Sequence, residues 1–353
     1  MRIRTFLLGS AAAFAVVGGA QAADLSVAEP ISYVKVCDAF GAGYFYIPGG
    51  DTCLKLSGYV RVNIDLHSNA NVYAGGTHSS TWDTDSRGYL GVDVSSMTEL
   101  GELDGSFAFQ SDFGTGTQTN TANLDHAYLK LGPFLAGMTE TTFGYGGPFT
   151  FNGTQTDTTT VNQVRLSWAM SGFGIMVAAE DPRTLWGTSL PSTYSMPDLI
   201  AAVTMAQSKW DGKLAFGVTQ GGSGGGATST TGFGVNGGLT FKLDQIAAGD
   251  RFRIQGAWAS NAGKFVGPSA FAAAPNAWSV LASFQHFWAP TLSTAVAASY
   301  LSETAGPTGI LGLNGNLVWS PVTNFHAGIE ADYSKASGTT GVVSGLIRLE
   351  RDF

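Results

Sequence analysis

"LSGYVRVNIDL", residues 56–66, is the stretch that decides the fold. Val60, Val62, Ile64 and Leu66 fall on one side of an extended chain, and Tyr59, Arg61, Asn63 and Asp65 fall on the other. A period of two reads as a β-strand with one apolar face and one wet face. The pattern recurs along the chain. "RGYLGVDV" sets Leu90, Val92 and Val94 against Arg87, Gly91 and Asp93, and "VNQVRLSWAM" sets Val164, Leu166, Trp168 and Met170 against Gln163, Arg165 and Ser167. "RFRIQGAW" sets Phe252, Ile254 and Trp258 against Arg251, Arg253 and Gln255. "NFHAGIEADY" sets Phe325, Ala327, Ile329 and Tyr333 against His326, Glu330 and Asp332.

Sixteen such runs are expected, at 57–66, 87–95, 101–113, 122–131, 134–139, 161–170, 172–180, 198–207, 210–219, 232–242, 250–259, 277–288, 291–302, 309–319, 324–334 and 343–353. Tight turns (Gly132-Pro133, Ser171, Ser208-Lys209, Ala289-Pro290, Ser320-Pro321) alternate with long connections rich in Gly, Thr, Ser and Asn, at 67–86, 140–160, 181–197, 220–231 and 260–276. A sandwich has no reason to keep its short turns on one side, whereas an up-and-down outer-membrane barrel does. Sixteen strands enclose a lumen too wide for side chains to fill, so the polar face is expected inside and the apolar face against lipid. Closure also pairs every backbone donor and acceptor, which hydrocarbon demands. The fold class is therefore all-β: a 16-stranded antiparallel transmembrane β-barrel with short periplasmic turns and long external loops. Trp82, Tyr89, Trp168, Trp210, Trp258, Trp288 and Trp319 lie mostly near strand ends, as aromatic girdles would.

The chain begins with Arg2 and Arg4, an apolar run from Phe6 to Val17, and small residues ending in Ala22, the layout of a secretory signal peptide over 1–22. The run is too short to span a bilayer, and no other window approaches the length a membrane helix needs. Export sets the context for "CDAFGAGYFYIPGGDTC", residues 37–53, which holds the only two cysteines. A zinc half-site lacks further Cys or His nearby, and a redox pair lacks the C-x-x-C spacing, so Cys37 and Cys53 read as a disulfide. Residues 23–56 are expected to form a segment that contains this ring and precedes the barrel, and 57–353 the barrel.

Removing the two leader arginines takes the basic count from 18 to 16 against 26 acids, a net charge of −10. Such a chain, with no basic stripe, is a poor nucleic-acid binder. An enzyme would need a nucleophile beside a base. Here His67, His78, His126, His286 and His326 are scattered, and no G-x-S-x-G, H-E-x-x-H or phosphate loop occurs. "GGSGGGATS", 221–229, lacks the lysine of a phosphate cradle. No cofactor and no metal is expected.

The last residues, "SGLIRLERDF", end in Phe353 with Ile347 and Leu349 on one face. That ending resembles the signal by which Gram-negative outer-membrane barrels are recognised for insertion. "YVKVCDAFGAGYFYIPGGDTCLKLSGYVR", residues 33–61, resembles the opening signature of the alphaproteobacterial general porins, the family of the Brucella and Rhizobium major porins. The resemblance implies a homotrimeric, non-energised outer-membrane channel for small hydrophilic solutes and ions, with the cysteine ring on the periplasmic side. It also implies a third external loop folded inward as a constriction. Counted from the first strand, that loop is Thr139–Thr160, "TETTFGYGGPFTFNGTQTDTTT", carrying Glu140 and Asp157, aromatics suited to packing on the wall, and no basic residue. Facing it, Arg61, Arg87, Lys130 and Arg165, with His126 nearby, are expected to line the pore and set a transverse field. An adhesin built on the long loops and a solute-specific channel are the competing functions.

Overall fold

The computed structural model describes residues 35–67, 82–114, 117–153, 159–182, 196–221, 230–266, 276–303 and 309–353. The leader expected at 1–22, His78 and Asp157 lie outside the described residues. A short strand β1 (Phe45–Tyr46) precedes β2 (Cys53–His67), β3 (Trp82–Thr98), β4 (Gly101–Gly114), β5 (Thr117–Leu131), β6 (Phe134–Glu140), β7 (Thr160–Met170), β8 (Phe173–Glu180) and β9 (Asp198–Ala206). Then follow β10 (Trp210–Gly221), β11 (Thr230–Lys242), β12 (Arg251–Ser260), β13 (Asn276–Ala289), β14 (Leu292–Glu303), β15 (Gly309–Trp319), β16 (Phe325–Ala336) and β17 (Val342–Asp352). From β2 onward each strand pairs antiparallel with the next, and β17 returns to β2 from Ser344↔His67 to Asp352↔Tyr59. The sixteen long strands thus close into a barrel.

The seam is finished by the last residue. Phe353 N–H donates to the Gly58 carbonyl at 2.9 Å, and Gly58 N–H donates to the Phe353 carbonyl at 3.1 Å. Gly58 is required there by space: a Cβ would stand 2.3 Å from the Tyr89 carbonyl oxygen and 2.6 Å from Cζ of the Phe353 ring.

The apolar stripes face outward. Val60, Leu214 and Ile329 are 57%, 60% and 55% exposed, values that belong to a surface meeting lipid and not to a dry core. Exposed tryptophans gather at both rims, with Trp168, Trp288 and Trp319 at the short-turn end and Trp82, Trp258 and Trp278 at the other. Tyr89, expected in a girdle, departs from it. Its parity is that of Arg87 and Asp93, and its ring stacks on Tyr59 with centroids 5.0 Å apart.

All sixteen expected strands are present, with differences at the ends. β3 starts five residues early at Trp82, and β5 starts at Thr117 instead of 122. The β3 extension "WDTDS" has one apolar residue, Trp82, and so shows no run of alternation, but ladder pairing such as Leu66↔Trp82 and Asn63↔Asp85 needs none. Connection length alternates less strictly than expected. The short-turn side includes 243–250, knitted by Leu243 N–H to the Asp250 carbonyl at 2.7 Å, and the long side includes the brief 115–116 and 304–308.

Cys37 and Cys53 form a disulfide with Cα atoms 6.1 Å apart, both fully buried. Between them Phe45↔Leu54 and Tyr46↔Cys53 fold β1 back on the start of β2, so the first barrel strand begins inside the segment expected to end at 56. Cys53 also pairs with Ser95, close to the Thr98–Gly101 turn, which places the ring at the short-turn end. The chain-entropy model credits such a ring with roughly 3 kcal/mol.

Gly58→Leu is expected to lower barrel stability by about 1–3 kcal/mol in urea unfolding of the detergent-folded protein, because the seam has no room for a side chain. Gly88→Ala, at a position where an added Cβ meets nothing within 4 Å, should leave the midpoint unchanged or raise it.

Candidate functional site

The third long connection leaves β6 and runs along the polar side of the sheet. Its root is held by β8: Thr141 Oγ1 donates to Glu180 Oε2 at 2.7 Å, and Thr142 N–H donates to Glu180 Oε1 at 2.6 Å. Farther along, Lys213 Nζ donates to the Gly144 carbonyl, and Tyr145 OH lies 3.0 Å from Asp211 Oδ2 and 2.6 Å from Thr240 Oγ1. Burial above all pushes the Tyr145 phenol up to about 12, with Thr240 opposing and Asp211 reinforcing the rise, so it remains a donor throughout the physiological range. Arg253 Nη1 donates to the Gly147 carbonyl, and Phe149 N–H to Ser283 Oγ at 3.0 Å. The far end is received by β16, where Glu330 accepts from both Phe151 N–H and Asn152 N–H at 2.6 Å.

Rings seat this segment in gaps left by glycine. Gly217, Gly238 and Gly328 all lie on the face opposite the apolar stripe, and a Cβ there would meet Phe143 at 3.2 Å, Tyr145 at 2.1 Å and Phe151 at 2.5 Å. Guanidinium groups cover other ring faces: Arg251 and Arg253 stand 4.3 and 4.8 Å from the Phe149 centroid, and Arg348 stands 4.5 Å from that of Phe151.

The inner face is therefore of two kinds. Behind the segment, toward the external rim of β7–β15, inward positions are small or apolar, with Val161, Ile200, Ala202, Ala215, Ala257 and Leu301 joining Phe143 in a buried cluster. This corrects the expectation of a polar interior throughout: where a loop is packed on the wall, the wall must offer apolar surface. Along β17 and β2–β5 the inward residues are charged and cross-linked strand to strand. Arg61 bonds Glu350, Arg87 bonds Asp112, Lys130 Nζ lies 2.8 Å from Asp104 Oδ2, and Arg348 Nε donates to Asn63 Oδ1 at 2.9 Å.

Of the sequence candidates, Arg61, Arg87, His126 and Lys130 are thus brought together on the charged wall. Arg165 is inward on β7, half-buried, with a buried Nε that makes no hydrogen bond. Glu140 is a correction. It shares the parity of Phe134 and Met138 at the end of β6 and is exposed on the outward side, so its carboxylate does not face the lumen. The described part of the connection, 141–153, carries no charge. Its anchors Lys213, Arg253 and Glu330 were not singled out for this role; the signal available was glycine interrupting inward positions on strands otherwise fit for large residues.

The fold also assembles Ser106, His126 and Asp125, with Ser106 Oγ 2.9 Å from His126 Nε2 and His126 Nδ1 3.1 Å from Asp125 Oδ2. These are the distances of a nucleophile, base and orienting acid. Ser106 also donates to Asp93 Oδ1 at 2.6 Å, it is 6% exposed, and its strand is paired on both sides. A similar trio, Ser320, His326 and Asp352, recurs with the nitrogens exchanged. Both belong to the hydrogen-bonded lining.

The profile of the Porin subfamily matches residues 24–345. Outer membrane protein y4fJ of Sinorhizobium fredii is 48% identical over 146 residues, covering 39% of this chain and 43% of its own. Porin Omp2a of Brucella ovis is 41% identical over 166 residues, covering 40% and 47%. The chain spans less than half the length of these curated relatives. The outer membrane channel DcaP of Acinetobacter baumannii shares the fold, with a TM-score of 0.72 at 17% identity over 87% of this chain and 99% of that one.

Replacing Glu330 by Ala leaves the Phe151 and Asn152 amides without their acceptor, a loss of about 1–3 kcal/mol. Hydrogen exchange at those two amides should accelerate by roughly tenfold or more, while exchange in β10–β13 stays unchanged.

Proposed function

The chain belongs to the Porin subfamily, and from that premise we propose that it is a general outer-membrane porin, a passive aqueous channel for small hydrophilic solutes and ions. One observation carries this reading: among the described residues, the uncharged stretch 141–153 is pinned against one side of the inner face, while the other side presents a ladder of paired charges. We read 141–152 as the inward-folded third loop, which narrows the lumen and confines the water path to β17 and β2–β5. Arg61, Arg87, His126 and Lys130 line that path, and Arg165 lies at its edge.

A ladder of alternating charges orders water and exchanges hydrogen bonds with hydrated solutes, whereas an apolar solute gains nothing there to replace its lost contacts. Acids outnumber bases on this wall. Lys55, Arg61, Arg87, Lys130 and Arg348 face Asp65, Asp83, Asp85, Asp93, Asp104, Asp112, Asp125, Glu102 and Glu350, which supports a modest cation preference. Residues 1–22 act as the export signal, and the periplasmic segment that follows ends where β2 begins at Cys53. The homotrimer and recognition of the terminal phenylalanine by the insertion machinery follow from the resemblance, and Phe353, 61% exposed at the seam, is accessible for the latter.

The purified protein in planar bilayers should show steady conductance with a cation-selective reversal potential. Arg87→Gln, which frees Asp112, should deepen that selectivity, and Asp112→Asn should weaken it; reversal potentials unmoved by either change would take this wall out of the ion path. In liposome swelling with sugars of graded size, a smooth cutoff supports the general pore. Saturation would mean a solute-specific site, and impermeability would leave the adhesin.

A further inference from the structure

A second connection shares the interior with 141–152. After β12 the chain does not rise into solvent: Ala262–Val266, with a 3-10 turn at Gly263–Phe265, is buried throughout. Loops at the mouth of a wide barrel normally keep their backbone and charges in water. Here Lys264 is 4% exposed, and its Nζ donates to both oxygens of the fully buried Asp198, at 2.6 and 2.9 Å. Glu180, which already holds Thr141 and Thr142, and Asp181 add to the negative surroundings of the ammonium. Burial pulls the Lys264 ammonium down, and Asp198 works against that pull.

The next residue meets the third connection directly. Phe265 stacks on Phe143 with centroids 4.6 Å apart and planes at 26°. Both rings lie over Gly217, and Phe265 also lies over Gly234; a Cβ at either glycine would come within 2.9 Å of the Phe265 ring. Ala257, Ala259 and Ala277 complete the pocket with methyl groups. One short segment is thus locked to β9 by charge and to the root of 141–152 by a ring, with the wall cut back to admit it.

We propose that residues 261–266 are a strap that fixes the root of the third loop through the Phe265–Phe143 stack and the Lys264–Asp198 pair, and so sets the bore of the channel. This rests on the porin reading. The strap fills lumen that would otherwise conduct behind the loop, and it keeps Phe143 on Gly217, from which the rest of 141–152 is laid along the wall. Lys264 and Phe265 are positioning residues: they act on permeating solutes through the loop.

The test is unitary conductance and sugar cutoff of the full-length protein refolded in planar bilayers and liposomes, with folding checked by heat modifiability on gels. Phe265→Ala and Lys264→Ala are expected to raise conductance and to shift the cutoff to larger sugars. Lys264→Ala leaves Asp198 buried without its partner and risks misfolding; Lys264→Met combined with Asp198→Asn removes both charges at similar volume and should return conductance to the wild-type level. A folded Phe265→Ala protein with wild-type conductance and cutoff overturns the strap. A wild-type protein that does not conduct overturns the porin reading instead, so the two failures are distinct.

Discussion

Backbone amides and carbonyls in hydrocarbon have no water to bond, and each must find its partner in the neighbouring strand. Everything else in this molecule depends on that ladder being closed. The β2–β17 pairing joins residues nearly three hundred positions apart, and Gly58 and Phe353 exchange the last two hydrogen bonds of the seam. Once the ring is complete, each strand has one face toward lipid and one toward the axis, and the alternation in "LSGYVRVNIDL" becomes a division between oil and water.

That division explains the outside fully and the inside only in part. A ring of this size cannot fill its own centre with wall side chains. The chain partitions the space: two connections are packed against β8–β16 with their rings on inward glycines, and the opposing wall keeps its charges. Both halves obey one rule. Charged groups on the β17 and β2–β5 wall are cross-linked between adjacent strands, as Arg87 is with Asp112, and in the packed half Lys264 is paired with Asp198.

The strands were legible because period-two alternation is a direct consequence of the two solvents. Where the apolar residues run out the signal vanishes, which is why β3 and β5 were read short. The parity of Arg61, Arg87 and Lys130, opposite to the apolar stripe, is visible in the sequence. Glu140 was misplaced because it was assigned to a loop, whereas it still belongs to β6 and obeys that strand's alternation. Tyr89 was assigned by residue type when its parity already placed it inside. What no local pattern contained was the pairing of distant parts: the glycine seats, the reach of Thr141–Asn152 across to Glu330, and the burial of Phe265. Those contacts join residues up to 179 positions apart and exist only once the cylinder has closed.

The central claim is that lipid lies outside this cylinder and water runs within it, and alternate residues of one strand report on it most directly. Single cysteines placed in turn from Tyr59 to Leu66, labelled with a small fluorophore in the folded protein and reconstituted, can be quenched by brominated lipid or by iodide. The account predicts lipid quenching at Val60, Val62, Ile64 and Leu66 and iodide quenching at Tyr59, Arg61, Asn63 and Asp65. Reversed or absent alternation would contradict it.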